Sequence, residues 1–161
     1  MISSFKGEYG FLSNFYQRTF RVPPPNNFDC PDVEHAFQAA KTTNSQDFHY
    51  VLDAPTAAEA KKRGRQIVCR ADWDQVKRWY MLQLVLAKFS QHDDLRFQLA
   101  ATGEHALVEG NHWGDTYWGA VAEGQRGWSL KGLETTLPEF EPFCGENYLG
   151  RTLMAVRMVL C

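Results

Sequence analysis

Apolar residues recur at helical spacing along most of the chain from residue 32 onward. A repeat near 3.6 residues turns one side of a segment toward a core, so it predicts amphipathic helices. The strongest repeat follows Asp72 and predicts the central core helix, whose inner face carries Val76, Trp79, Tyr80, Leu84 and Phe89. Further helices are predicted at four places: 45–52, from Thr56 onward, 93–101 with a stop at Gly103, and after Asn147 with Leu149, Leu153, Val156 and Leu160 on one face.

Two segments lack this period. Residues 5–22 mix aromatic residues with glycine and asparagine before three consecutive prolines, so they predict short extended segments and turns but no helix. Residues 109–127 are rich in Gly, Trp and Asn and predict a long irregular region with one short strand. Long ordered loops of this kind usually serve function.

Size and composition fit one globular domain spanning residues 1–161. The chain has a mass of 18.5 kDa and is 44% apolar, which is enough to bury a sizeable core. Its net charge of -2 and pI near 6.2 disfavour a protein that coats nucleic acid by neutralising phosphates. The N-terminus lacks a signal-peptide pattern, and no apolar run is long enough to span a bilayer, so a cytosolic protein is expected.

The cysteines and histidines do not form a recognisable metal site. Cys30, Cys69, Cys144 and Cys161 stand far apart without a C-x-x-C pair, so reduced thiols are expected rather than zinc ligands or disulfides. No two histidines have metal-ligand spacing on one helix face, and serine-hydrolase, P-loop and Rossmann patterns are absent. No metal or other cofactor is therefore expected.

The segment VEHAFQAAK (33–41) carries the most informative polar pattern. As a helix capped by Asp32, it sets Glu34, Gln38 and Lys41 along one stripe. Glu34 falls in the first turn, where the helix dipole favours its ionised form. Glu34 and Lys41 are then roughly 10 Å apart along the axis, so a small ligand fits between them. Taken alone, the segment is more typical of an exposed polar stripe on a surface helix.

A glycine-bounded segment, GDTYWG (114–119), offers a second group of candidates. Its glycines free the backbone for close approach to a ligand, while Asp115 suits a ribose hydroxyl or a water and Trp118 suits stacking on a base. The alternative is a turn with a core tryptophan. Trp73, in the first turn of the central helix, faces the same choice between ligand contact and packing.

Two shorter features suit recognition of a nucleotide-like ligand. Ser13-Asn14-Phe15 combines polar edges with an aromatic ring, which fits a planar heterocycle. A basic cluster around Gly64 fits a phosphate, although a solvated charged face is the commoner explanation. The cluster consists of Lys61, Lys62, Arg63 and Arg65.

Six separated motifs follow one another along the chain: GFLSNFY, VEHAFQAAK, RGR, ADW with the core helix ending in AKF, GDTYWG, and GENYLGRTLMAVR. In this order they resemble the YbiA-like, or NADAR, family. The resemblance implies a compact, mainly helical α+β domain with a few short strands that hydrolyses N-glycosidic bonds. The implied substrates are phosphorylated ribosylaminopyrimidine intermediates of riboflavin synthesis or ADP-ribose attached to guanine, including guanine within nucleic acid.

The resemblance also assigns roles to individual residues. Glu34, Trp73 and Asp115 match the family's leading catalytic candidates, and Lys41 and Asn147 match two further motif positions. One mechanism places Glu34 at the sugar and Asp115 at ribose or water; the other captures C1′ on Lys41 as a Schiff base. Catalytic candidates are therefore Glu34, Asp115 and Lys41. Predicted substrate contacts are Ser13, Asn14, Phe15, Gln38, Arg65, Trp73, Trp118 and Asn147.

Two departures from the family pattern bear on substrate choice. Residues 120–144 form a longer insertion than compact members carry, and Tyr148 stands where such members often have arginine. The insertion holds donors, cations and an aromatic ring, so it predicts a pocket extension toward a diphosphate or a neighbouring nucleotide. These residues are Gln125, Arg126, Trp128 and Lys131. The alternative is a solvent-exposed elaboration.

Two competing functions are consistent with the same residues. A non-catalytic module binding ADP-ribose or a nucleotide needs the aromatic residues and Asn14 but not Glu34. A scaffold in which these groups are structural predicts no ligand-dependent rise in melting temperature. No membrane contact and no obligate protein partner are expected in any of these cases.

Overall fold

The structure is a computed structural model that describes residues 1–134 and 136–161, and only the backbone of Leu130 and Leu133. The chain divides into two units. The middle unit is Asn14–Asp93, and the end unit combines Met1–Ser13 with Asp94–Cys161. Each unit has its own helices and one short pair of strands.

The middle unit consists of a short hairpin followed by four helices. Strand β1 (Phe20–Arg21) pairs antiparallel with β2 (Asp29–Cys30), and Phe20 lies opposite Cys30. The helices are α1 (Val33–Ala39), α2 (Ser45–Leu52), α3 (Ala57–Arg63) and α4 (Trp73–Ser90). Helix α1 packs against each of the other three, and all seven of its residues are buried. It is therefore the hub of this unit.

A buried chain of hydrogen bonds fixes the start of α1. The Asp32 carboxylate caps the helix by accepting the His35 backbone N–H at 2.9 Å, and it also contacts His35 Nδ1 at 2.8 Å. The other ring nitrogen, Nε2, lies 2.9 Å from the Ala54 carbonyl. Because a carboxylate and a carbonyl are both acceptors, an imidazole ring that carries both protons satisfies both contacts. The cap thereby ties α1 to the loop between α2 and α3.

The end unit is held by a small core around two short parallel strands. It contains α5 (Asp93–Ala101, from the unit boundary), β3 (Gly110–Asn111) paired with β4 (Ala120–Val121), α6 (Leu130–Glu134) and α7 (Tyr148–Leu160). Two 3₁₀ helices, Gly7–Leu12 and Pro138–Phe140, complete it. Val108, Ala120 and Phe140 form the buried cluster, against which Met154 of α7 packs.

The predicted fold class, mainly helical α+β with a few short strands, is confirmed. The helices predicted over 45–52 and 93–101 have those bounds, and Thr56 caps α3 through its hydroxyl. The irregular region contains two short strands rather than one. Residues 5–22 do contain a 3₁₀ helix, because backbone bonds such as Ser13 N–H to Gly10 C=O close tight turns without any 3.6-residue pattern.

The central helix was predicted correctly, but its inner face was assigned incorrectly at one position. Trp79 is 53% exposed, whereas Met81, Leu84 and Val85 are buried. Since the buried stripe follows positions three and four apart, Trp79 falls on the opposite side of α4 from Met81. Asp72 does stand at the N-cap, but its carboxylate binds Arg70 rather than the helix amides.

We expect the Asp32 cap to contribute far more to stability than the exposed cap of α3. Asp32→Ala removes a cap and leaves the buried His35 ring without its partner, so it should lower the free energy of unfolding by about 2–4 kcal/mol. Thr56→Ala removes only an exposed cap and should cost about 1 kcal/mol. Urea denaturation of both variants measures the difference. Equal losses would show that the buried network contributes nothing beyond capping.

Candidate functional site

The polar stripe of α1 lies inside the protein. Glu34 is only 5% exposed and Gln38 only 4%, and Gln38 Nε2 donates a 2.8 Å hydrogen bond to Glu34 Oε1. The interpretation as an exposed stripe on a surface helix is therefore wrong. Lys41, two residues after the end of α1, is half-buried. A buried carboxyl beside a half-buried amine is costly to maintain and is typical of a functional site.

Glu34 and Lys41 influence each other's protonation. Burial raises the pKa of Glu34, and the opposing attractions of Lys61 and Lys41, with the hydrogen bond from Gln38, only partly offset it. Burial lowers the pKa of Lys41, while the Glu34 charge opposes that change. The helix dipole was expected to favour ionised Glu34; the desolvation outweighs it. Each group is thereby shifted toward its neutral form.

The basic cluster divides into two parts. Lys62 and Arg63 pair with Glu59 on α3, at 3.6 Å and 3.3 Å, so they belong to a surface ion-pair network. Lys61 and Arg65 instead act on Lys41, whose pKa they lower by repulsion. The Lys61 amine also lies 5.6 Å from the centre of the Phe15 ring. The phosphate-binding prediction is therefore best carried by Lys61 and Arg65.

Gly64 makes room for the group that holds Glu34. Its φ of -63° is ordinary for a helix end, so no backbone strain requires a glycine there. A β-carbon at this position would lie 2.9 Å from both Cβ and Cδ of Gln38 and would overlap Oε1. Gln38 Oε1 is buried and has no hydrogen-bond partner among the described residues. Its contact with Gly64 orients the amide so that Nε2 faces Glu34.

Of the tripeptide Ser13-Asn14-Phe15, Ser13 belongs to the end unit, and Asn14 and Phe15 belong to the middle unit. The Asn14 carbonyl accepts the Glu34 backbone N–H at 3.1 Å, and its buried side-chain amide contacts Met81 Sδ at 3.5 Å. Asn14 thus supports the start of α1. Phe15 is 41% exposed, as ligand stacking requires, and Ser13 is half-buried.

Trp73 begins α4 and is half-buried. Its ring centre lies 5.0 Å from Phe37 of α1 and 5.8 Å from Tyr80, about two turns further along α4. Trp73 therefore packs on two rings while keeping part of its surface accessible. Both sequence interpretations, packing and ligand contact, are compatible with this position, and the ligand contact stays a prediction.

The remaining predicted residues lie in the end unit, where they organise loops. Asp115 Oδ1 accepts the backbone N–H groups of Tyr117 and Trp118 at 3.1 Å and 2.9 Å. Asn147 is fully buried with a left-handed backbone, accepting the Glu109 N–H and donating to the Leu107 carbonyl. These contacts give both residues a structural role. Their proposed roles toward substrate stay predictions.

The two departures from the family pattern also lie in the end unit. Tyr148 packs 4.8 Å from the Tyr117 ring, and the Arg151 guanidinium lies 5.3 Å from the Tyr148 ring. Residues 120–144 contribute β4 and Phe140 to the core, so this segment is not wholly an exposed elaboration. Gln125, Arg126 and Lys131 are exposed. Thr135 lies outside the described residues.

One buried charged residue was missed from the sequence. Lys88 of α4 is 2% exposed, and burial lowers its pKa to about 7 against an opposing attraction from Asp32. Its ammonium lies 5.3 Å from the Tyr16 ring. The signal was available, because Lys88 follows Met81, Leu84 and Val85 at the spacing that defines the buried face. A lysine at that position of the helical repeat predicts a buried amine.

Within the described ranges, none of the helices is both long and apolar enough to cross a bilayer. In the same ranges, no three His, Cys, Asp or Glu side chains are grouped to hold a metal ion. All four cysteines are free.

Comparison with known proteins identifies the family. The NADAR domain profile matches residues 3–161. The chain belongs to the NADAR family. It is 34% identical to an N-glycosidase of Nostoc punctiforme, over 92% of this chain and 84% of that protein. It is 32% identical to the N-glycosidase YbiA of Shigella flexneri, over 93% of this chain and 81% of that protein.

A longer relative and a solved structure support the same assignment. This NADAR domain is 33% identical to a riboflavin biosynthesis protein of Vibrio vulnificus, over 92% of this chain but only 35% of that protein. The NMR structure of the Escherichia coli protein YbiA is similar to it with a TM-score of 0.75 and 30% identity. That match covers 99% of this chain and 84% of the other.

We expect Gly64→Ala to raise the pKa of Glu34 further. The added β-carbon displaces the Gln38 amide, and the hydrogen bond from Gln38 is one of the interactions that lowers that pKa. The same crowding should cost about 1–3 kcal/mol of stability. Carboxyl-carbon NMR titration measures the pKa directly. Gly10→Ala is the matched control, because a β-carbon there meets nothing within 4 Å. An unchanged Glu34 pKa in folded Gly64→Ala would refute this positioning role.

Proposed function

We propose that this NADAR domain is an N-glycoside hydrolase that cleaves the bond between ribose C1′ and a nitrogen of a nucleobase-like heterocycle or its exocyclic amine. The observation that carries the proposal is the buried Glu34 carboxyl, whose pKa is raised, in electrostatic interaction with Lys41, whose pKa is lowered. Relatives named N-glycosidases support this reaction class. The candidate substrates are ADP-ribosylated guanine and phosphorylated ribosylaminopyrimidine intermediates.

The first route uses acid–base catalysis. Cleavage of the N-ribosyl bond leaves positive charge on C1′ and negative charge on the departing nitrogen. Glu34, whose raised pKa suits proton transfer, acts at the sugar: its carboxylate stabilises C1′ or takes a proton from the attacking water. The proton that the water loses passes to the departing nitrogen, so the products are the free base and the sugar with a hydroxyl at C1′.

The second route passes through Lys41. An aminoriboside opens its sugar ring to an imine, and a neutral lysine amine then attacks C1′ and expels the base as a free amine. The resulting Schiff base is hydrolysed by water, which restores Lys41. Lys41 is suited to this role because burial lowers its pKa and so increases the neutral fraction.

The surrounding residues are proposed to select the ligand. Trp73 or Phe15 would stack on the heterocycle, and Asn14 and Gln38 would contribute polar contacts. Lys61 and Arg65 add positive charge near Lys41, which favours a phosphate on the sugar. A binding module without turnover needs these residues too, so the decisive difference is release of a base.

We expect Glu34→Gln to abolish turnover while the fold is retained. Loss of a general acid–base group typically costs about a hundredfold or more in rate. The assay incubates the protein with both substrate types and identifies released bases by mass spectrometry. Asp74→Asn, which changes an exposed carboxylate on α4, is the control and should keep full activity. Activity of Glu34→Gln within about threefold of the unmodified protein would exclude the catalytic role.

We expect borohydride, added during turnover, to trap the sugar on Lys41 if the Schiff-base route operates. Reduction of the imine gives a stable adduct, which peptide mass spectrometry assigns to a residue. Because the neutral amine reacts, trapping should increase with pH through the Lys41 pKa, which lies below the usual lysine value. Turnover without an adduct would instead favour direct attack by water and leave Lys41 as an electrostatic contact.

A further inference from the structure

A cleft of about 590 Å³ opens in the middle unit beside the end of α1. It is called the Thr42 cleft here, after one of the residues that line it. Ala40 and Thr42 line it, whereas Lys41 between them is not among its lining residues. The cleft therefore lies next to the polar stripe of α1, and Glu34, Gln38 and Lys41 are not among the residues that line it. Its volume falls in the range of sites that hold a small organic ligand.

Three aromatic rings form the apolar walls of the cleft. Phe28 and Phe48 meet edge to face, with ring centres 5.3 Å apart and planes at 88°. Phe48 is anchored on the buried core of the unit, so this wall is firmly supported. Tyr80 lines the cleft as well. Rings held in different planes can contact both the face and the edge of a planar ligand.

Polar groups line the rim where the chain enters α2. The exposed Thr43 and Ser45 offer hydroxyl groups that both donate and accept. His49 also lines the rim, and its Nδ1 contacts the Ser45 carbonyl at 2.7 Å. Since that carbonyl can only accept, Nδ1 is the donor in this contact, which leaves Nε2 for a ligand. Such alternating donors and acceptors match the edge of a nucleobase and the hydroxyls of a ribose.

Arg70 supplies positive charge at the same cleft. Its guanidinium donates to Asp72 through Nε and Nη2 and to the Tyr80 hydroxyl through Nη1. A guanidinium has five N–H groups, so two remain for a ligand once these three bonds are made. Because Asp72 neutralises much of the charge, the site suits a single phosphate better than a polyphosphate.

We propose that this cleft binds a nucleoside monophosphate, with the base between the aromatic walls and the phosphate at Arg70. Another cleft of the middle unit, lined by residues such as Val22, Pro23 and Leu86, has no aromatic side chain among its lining residues and holds only about 310 Å³. Binding at the Thr42 cleft does not depend on the proposed hydrolase activity. The backbone that lines the cleft nevertheless adjoins the candidate site, because the Arg70 N–H donates to the Lys41 carbonyl at 2.7 Å.

Calorimetric titration with AMP tests the proposal on the full chain. We expect a Kd below about 1 mM for the unmodified protein and at least a tenfold loss in Thr43→Trp, whose new ring fills the cleft from an exposed position. Gln46→Trp, an exposed residue of α2 that does not line the cleft, should stay within about twofold. Amide NMR shifts provide a second measurement: AMP should perturb 42–45 and Arg70.

Two further measurements identify the source of the nucleotide. If the cleft holds the distal nucleotide of an ADP-ribosylated substrate, AMP should raise KM for that substrate and leave KM for a ribosylaminopyrimidine phosphate unchanged. If it holds a free nucleotide, AMP should bind without competing with either. Both results support the site. Absence of AMP binding, or binding that Thr43→Trp leaves intact, would overturn it, whether or not the protein hydrolyses N-glycosides.

Discussion

The hydrogen bonds between Asp32, His35 and Ala54 are the constraint on which the rest of the middle unit depends. Helix α1 has only seven residues, and so short a helix has little stability of its own. It nevertheless places Glu34 and Gln38 inside the protein. The cap at Asp32 satisfies the first turn, and the His35 ring carries the same network to the next loop. Because Glu34 lies between these two anchors, its backbone has little freedom to move.

Burial then determines the chemistry that α1 can perform. In water, a glutamate and a lysine side by side would both be charged near neutral pH, and neither would exchange protons readily. Here desolvation raises the pKa of Glu34 and lowers that of Lys41, so the two values approach each other. A carboxyl with a raised pKa is suited to proton transfer and an amine with a lowered pKa to nucleophilic attack, and the two alternative routes use one or the other. The same burial therefore supports either mechanism.

Local sequence signals predicted six of the seven α-helices of the described residues, all but the five-residue α6, whereas they did not predict contacts between distant segments. The spacing after Asp72 and the cap at Thr56 are set by residues near in sequence, so they could be read directly. The tie between the Asn14 carbonyl and Glu34, and the fit of Gln38 against Gly64, join segments 20 or more residues apart. Lys88 was missed for a different reason. Its position in the helical repeat of α4 indicated burial, but a charged side chain is usually exposed.

Contacts between backbone segments also complicate mutational tests of the candidates in the end unit. Asp115 holds two backbone amides and Asn147 joins two backbone segments, so truncating either residue disturbs a loop whatever its role toward substrate. Loss of activity in Asp115→Ala would thus mix structural and chemical effects. Asp115→Asn keeps an oxygen that can accept the Tyr117 and Trp118 amides and removes only the charge. For Asn147, whose amide uses both its donor and its acceptor on the backbone, no such separation exists, because any substitution that removes a contact to substrate also breaks the tie between two backbone segments.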